Sequence, residues 1–227
     1  DFKGNLHAKH IIENSSDNSG NAVMLFSGGV DSYHTLITHI DEKPALAILW
    51  GSDITFDDEK GWSLVKAHVE STAQKYLLNY VTIKTSFRRF IDEYALSSLV
   101  RENAGDNWWH GFQHGIGILG HMAPYAYVQH LNKVYIASSF TAEDKGKYTC
   151  ASDTTIDNCL KFCGCQVVHD GYEANRQQKI HDICQYARKS NQEVQLRVCW
   201  ESKGGSNCCH CEKCIRTILA ILAEKED

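Results

Sequence analysis

Two groups of residues in this sequence could do chemistry. The first is Phe26-Ser27-Gly28-Gly29-Val30-Asp31-Ser32. An apolar run, Ala22 to Phe26, stops at a Ser-Gly-Gly turn, and Asp31 and Ser32 open a stretch with helical spacing. A buried strand that feeds a glycine turn and a helix N-terminus is a phosphate site, because orphan amides and the helix dipole both favour an anion. Gly28 and Gly29 let the backbone approach where a Cβ would block it. Ser27 and Ser32 add hydroxyl donors. A carboxylate beside phosphates is repelled unless a cation lies between them, so Asp31 reads as a ligand of Mg2+ or of its water.

The second group is Cys199 with Cys208, Cys211 and Cys214. Four thiolates at this spacing suit a tetrahedral Zn2+, and a closed site of four cysteines is usually structural. Gly204-Gly205 lets the intervening loop fold back. His210 could replace one thiolate, and an iron–sulfur cluster is the rival occupant. Cys150, Cys159, Cys163, Cys165 and Cys184 read as ordinary buried cysteines, with a second thiol site at Cys159, Cys163 and Cys165 as the alternative. The clustering of cysteines in the last third of the chain suits a metal in a reducing, cytoplasmic compartment better than a disulfide framework.

Ser27 to Ser32 resembles the Ser-Gly-Gly-x-Asp-Ser signature of the PP-loop (N-type) ATP pyrophosphatases, matched without a gap. The resemblance implies ATP on Ser27, Gly28, Gly29, Val30, Asp31 and Ser32, attack of a substrate oxygen on the α-phosphate, and release of pyrophosphate. It makes Asp31 and Ser32 the candidate catalytic pair. The chain lacks a Walker-type Gly-x-x-x-x-Gly-Lys-Ser/Thr motif. The spacing Cys-x8-Cys-x2-Cys-x2-Cys is similar to that of the 7-cyano-7-deazaguanine synthase family within these enzymes, whose cysteines hold a structural zinc near the active-site mouth. Thr141-Ala142-Glu143-Asp144 resembles the Glu-x-Asp stretch after that family's fourth strand. Where the family has a Pro-Gly-Arg-Asn turn, this chain has Trp109 to Gly115. Where it has Gly-Tyr-Pro-Asp-Cys-Arg, this chain has Gly146 to Asp153. The acceptor is therefore expected to differ from the family's.

The elements that must position these residues alternate. Strands are expected at 22–26, 45–50, 79–84, 134–137 and 165–168, with a short one at 194–198. Helices are expected after the loop to just before Pro44, and at 57–77, 87–101, 112–131, 172–189 and 212–225. That pattern predicts an α/β fold, a parallel sheet of about five strands with helices on both faces, like the adenine nucleotide alpha hydrolases, and a small C-terminal zinc-binding element built on the four cysteines. The division expected is 1–20 as a loop or remnant of an upstream region, 21–198 as the ATP-binding domain and 199–227 as the zinc element with its closing helix. The chain begins at Asp1, which suits a piece of a longer protein.

Ligands of such sheets bind at the carboxyl ends of strands near a switch in strand order. This adds Asp53 after the second strand and Ser138 after the fourth. His114, in the aromatic and glycine-rich stretch 108–115, is a candidate nucleotide contact; the competing reading of its histidines and tryptophans is core packing. Glu143 and Asp144 could meet Mg2+ or a substrate amine, or belong to a solvated loop. Arg216 is either a phosphate clamp or a surface arginine.

With 227 residues, 43% hydrophobic, the chain can bury one sizeable core. A net charge of −5 without a basic run gives no sign of nucleic-acid binding. No apolar run approaches the roughly 18 residues of a membrane span. The function expected is ATP-dependent adenylation of a carboxylate or amide oxygen, followed by attack of ammonia or another nucleophile. The partners expected are ATP and a small purine-like, carboxylate- or amide-bearing substrate, with a homodimer left open. The alternatives are a thioamide-forming or sulfur-inserting enzyme and an ATP-binding module without turnover.

Overall fold

The first strand, β1, spans Ala22–Leu25 and lies at the centre of a six-stranded sheet. The structure is a computed structural model that describes residues 7, 9–10, 20–201 and 205–225; most of 1–20, and Gly204 of the expected Gly204-Gly205 turn, lie outside the described residues. β1 pairs in parallel with β2 (Ala45–Trp50) on one side and β4 (Lys133–Ala137) on the other. β3 (Tyr80–Lys84) flanks β2, and β6 (Cys165–Asp170) flanks β4, both in parallel. The strand order is β3-β2-β1-β4-β6-β5, where β5 is Lys161–Phe162. The order therefore reverses between β1 and β4, which opens a crevice at their carboxyl ends.

The expected fifth strand at 165–168 is β6. It is preceded by the two-residue strand β5, Lys161–Phe162, which pairs with it antiparallel. Cys163 and Gly164, both at positive φ (53° and 74°), make the tight turn between them. Two residues are too few for a periodic signal, which is why the sheet has six strands where about five are expected. The short strand expected at 194–198 is not formed. Arg197 instead donates its backbone N–H to Gly28 O at 2.7 Å, and Val198 N and Leu196 O bond to the Asn207 side chain, so this segment spends its hydrogen bonds on the glycine loop and on Asn207 rather than on the sheet.

Helices cover both faces, and alternation along the strands shows it. Ala22, Met24 and Phe26 share one core with Leu46 and Ile48, packed under α1 (Val30–Thr38), α2 (Glu59–Lys75), α7 (Arg176–Ser190) and α8 (Glu212–Ala223). Val23, Ala47, Val134, Ile136 and Val167 share the other with Leu119, Met122 and Ala126. Asp58 caps α2 by accepting from Gly61 N at 2.9 Å. The helix expected from 87 starts later, as α3 (Glu93–Ala104), because Asp92 caps it through Ala95 N. The single helix expected over 112–131 is broken. A wide π-type turn at Trp109–Gln113 leads into α4 (His114–Leu119), and α5 (Met122–Gln129) follows after Gly120-His121. Pro124 falls in the first turn of α5, where a missing N–H costs no helical bond. The short α6 (Thr154–Asp157) precedes β5.

Cys199, Cys211 and Cys214 belong to the same core as Phe26, Val30 and Tyr33. The cysteine element is thus packed directly behind the glycine loop.

Candidate functional site

β1 ends in the loop because Gly28 takes φ +79°, a conformation open to glycine. A Cβ there would also stand 2.4 Å from His68 Nε2. Gly29 N donates to Ser27 Oγ at 3.4 Å, and Ser32 Oγ donates to Gly29 O at 3.2 Å. The two hydroxyls of Ser27 and Ser32 lie 3.2 Å apart. Val30 is buried in the core, so only its amide can serve a ligand. Arg197 closes the loop from behind, donating Nε–H to Ser27 O at 3.0 Å. The amides at the start of α1 have no acceptor within the helix.

Asp31 does not face solvent alone. Lys179 Nζ donates to its Oδ1 at 3.1 Å, and Arg176 lies 3.7 Å from its Oδ2. Lys179 is 2% exposed and also donates to Ser138 O at 2.5 Å, which joins the start of α1 to the end of β4 through one ammonium. The Ser138 hydroxyl donates its proton to Phe140 O at 2.6 Å, and its carbonyl is the group that meets Lys179. Burial pushes Arg176, Arg197 and Lys213 below their ordinary values; Asp31 opposes this at Arg176 and Lys213, and Asp53 at Arg197 and Lys213. Lys179, Arg176 and Arg197 thus bring positive charge against the loop.

Asp53 is exposed at the end of β2 and is felt electrostatically by Arg197, Lys213 and His114. His114 Nδ1 is buried without a hydrogen-bond partner among the described residues. Burial lowers the pKa of His114, with Asp53 acting the other way. Lys179 therefore brings Asp31 of the loop and Ser138 together, while Asp53 lies within electrostatic reach of Arg197 and of His114. Glu143, Lys145 and Lys147 are exposed, while Asp144 is used in a capping pair with Thr141. Arg216 pairs with Glu212 at 3.2 Å on the surface of α8. Trp108 stacks on Phe112, and the Arg88 guanidinium lies 3.9 Å from the Trp109 ring centre, so both tryptophans have packing roles.

Sequence reasoning missed Lys179, Arg176, Arg197, Lys213 and His68. For two of them a signal existed. Arg176 and Lys179 stand three residues apart at the start of a helix, so they share a face.

The four expected cysteines converge. Their Sγ atoms all lie within 4.8 Å of one another, with Cys199–Cys211 at 3.8 Å and Cys208–Cys214 at 3.9 Å. Tetrahedral metal–sulfur bonds of about 2.3 Å require sulfur separations of about 3.8 Å, so these thiols can hold a metal ion. Cys211 N donates to Cys208 Sγ at 3.3 Å, a contact suited to a thiolate. Burial pushes the Cys214 thiol up to about 12, and a cation at the centre would oppose that shift. Cys209 and His210 are exposed, and His210 turns Nδ1 onto Cys208 O at 2.8 Å. Cys159, Cys163 and Cys165 form no metal-holding group among the described residues, and none of the ten cysteines is in a disulfide. Asn207 ties the cluster to the loop. Its Oδ1 accepts from Val198 N and Cys199 N, and its Nδ2 donates to Leu196 O.

Among the described residues, no helix is long and apolar enough to cross a membrane. No protein-family model matches this sequence, and a search of curated proteins finds no match.

Proposed function

We propose that this chain is an ATP-dependent adenylating enzyme of the adenine nucleotide alpha hydrolase type, similar to the 7-cyano-7-deazaguanine synthases but with another acceptor. ATP lies on Ser27 to Ser32, with its phosphates over the α1 N-terminus. A carboxylate or amide oxygen of a small, purine-like or otherwise compact substrate attacks the α-phosphorus. Pyrophosphate leaves, and a nucleophile then displaces AMP. The reading rests above all on one observation: Lys179 links Asp31 to the Ser138 carbonyl at the point where the strand order reverses.

The residues present suit that chemistry. The glycine loop and first-turn amides bind phosphate oxygens. Lys179, Arg176, Arg197 and Lys213 neutralise the negative charge that builds on the departing pyrophosphate. Much of the rate comes from holding the two reactants in line. Mg2+, when bound with ATP, would screen the phosphates, and Asp31 is the carboxylate nearest the loop for it. Zn2+ is the metal best suited to the four cysteines, where it fixes the segment from Leu196 to Cys199 against the loop. No group in the chain has to form a covalent intermediate.

The test is nucleotide turnover by the full chain with ATP and magnesium chloride across a panel of carboxylated purines and short peptides. AMP and pyrophosphate, formed with one substrate and not the others, are expected. ADP and phosphate as products would overturn the reading. If ATP raises the melting temperature but no substrate yields AMP, the chain is a nucleotide-binding module instead.

A further inference from the structure

The outer face of α8 is apolar where the solvent face of a helix is normally polar. Ile215, Ile218, Leu219 and Leu222 follow the spacing i, i+3, i+4, i+7, so they form one stripe two turns long, and each is between 41% and 61% exposed. On α3, by contrast, the exposed Tyr94 and Leu99 are five residues apart and so about 140° apart around the helix. Beside the α8 stripe runs a groove of about 590 Å3, lined by Gln177 of α7 and by Ile215, Leu219, Ala220 and Ala223 among others.

The helix cannot turn this stripe inward. Its opposite face carries the buried Cys214 and Thr217, and Cys211 is its N-cap, so two of the four clustered thiols anchor it. Arg176 donates to Thr217 Oγ1 at 2.9 Å. Gln177 Nε2 donates to Ala220 O at 3.3 Å and to Glu224 Oε1 at 2.8 Å, and Arg188 donates to Glu224 O at 2.6 Å. α8 is thus tied to α7 along its length. Rotating it would break these bonds together with the cysteine cluster.

The charges at the ends of the stripe select what covers it. Glu212 stands at its start and Lys225 just past its end, both exposed. Two copies of α8 laid antiparallel, about a two-fold axis between Ile218 and Leu219, set Ile215 opposite Leu222, Ile218 opposite Leu219 and Glu212 opposite Lys225. A parallel pair would set each charge against its like. A lipid surface is a poorer match. Helices that lie in a membrane surround their apolar face with Lys and Arg, whereas this stripe opens on Glu212 and the chain carries a net charge of −5.

We propose that the outer face of α8 docks on α8 of a second copy of this chain, antiparallel, in a two-fold symmetric dimer. Each groove beside α8 takes side chains of the other copy's stripe. A helix of 12 residues is about 18 Å long, so the interface lies at the small end of the stable range and the dimer depends on concentration. The inference does not rest on the adenylating function.

The experiment is sedimentation velocity of the full chain, without nucleotide, from about 1 μM to about 200 μM. The wild type is expected to pass from one copy to two as concentration rises. Leu219→Glu places a carboxylate without a partner in the dry interface twice over, and should weaken association about 100-fold or more. Leu219 is exposed in a single copy, so the circular dichroism of this variant should match the wild type. Lys225→Glu sets carboxylate against carboxylate and should weaken association about tenfold at low salt, and adding Glu212→Lys should restore it. A chain that stays monomeric at every concentration overturns the proposal. So does a Leu219→Glu variant that associates like the wild type, or a double exchange that restores nothing. Flotation with phosphatidylserine vesicles in place of self-association would give the face to a lipid surface and overturn it as well. Because no nucleotide is present, the outcome is independent of the AMP-release assay.

Discussion

Lys179 Nζ lies 3.1 Å from Asp31 Oδ1, although 148 residues separate them in sequence. The contact carries the start of α7 onto the start of α1 and gives the glycine loop its cation. Lys179 is almost fully enclosed, so the pair is held by packing as well as by charge.

Lys179→Met should therefore harm both fold and function. It leaves Asp31 with only the more distant Arg176. A loss of about 2–3 kcal/mol in unfolding free energy is expected, since removing one member of a buried pair strands the other. AMP release should fall about 100-fold, the usual scale for one lost charge-stabilising group. Urea denaturation and product analysis of the same preparation measure the two effects separately.

Gly28→Ala places a side chain at φ +79° and 2.4 Å from His68 Nε2. Backbone strain and the displaced ring together should cost about 2 kcal/mol. Adding His68→Ala relieves the collision but not the strain, so the double variant should recover only part of the stability. ATP affinity should stay low in both, because the loop amides no longer aim correctly. Full recovery of ATP binding in the double variant would show that the loop does not need its left-handed turn.

His68 and His114 set a pH dependence. Burial holds both below the ordinary histidine value of 6.5, with Arg197 adding to the effect at His68. The unfolded chain then binds protons at a higher pH than the folded one. Their contribution to stability is complete above pH 6.5 and declines as the pH falls below it. Urea midpoints measured from about pH 7.5 to about pH 5 should decline, and His68→Gln should flatten part of that slope. An identical slope in the variant would mean that other groups carry it.

The metal prediction separates two neighbouring cysteines. A closed site of four thiolates holds about one zinc per chain, and Cys211→Ser should lose it. Cys209→Ser, which alters an exposed thiol outside the cluster, should keep it. Because Asn207 ties the cluster to the segment bearing Arg197, stripping the metal with a chelator should lower the melting temperature and weaken ATP binding together. Elemental analysis and nucleotide titration of the stripped protein check both parts.

Much of this could be read from the chain because the signals are local. Apolar runs located five strands, since a buried parallel strand needs such a run. The Ser27 to Ser32 turn needed no partner to be recognised as a glycine loop between a strand and a helix, because its glycines and the following helix carry the geometry themselves. The cysteine cluster was equally legible, since ligand spacing constrains how four thiols can meet. Other features escaped for physical reasons. β5 has two residues and exists only because the turn at Cys163-Gly164 lays it on β6. The 194–198 segment looks like a strand, but its hydrogen bonds go to Gly28, Ser27 and Asn207, which no local pattern announces.

The sequence by itself thus determined the alternating architecture, the glycine loop between β1 and α1, and the four thiols that converge. These depend on neighbours within a few residues or on fixed spacing. Only the tertiary structure decided which cations lie against the loop, that the Ser138 carbonyl meets Lys179, and which face of α8 stays open. Those choices depend on how α7, α8 and the 196–199 segment pack against one another and against β1 and β4. Packing brings together residues far apart in the chain, and their types alone do not say which of them will touch.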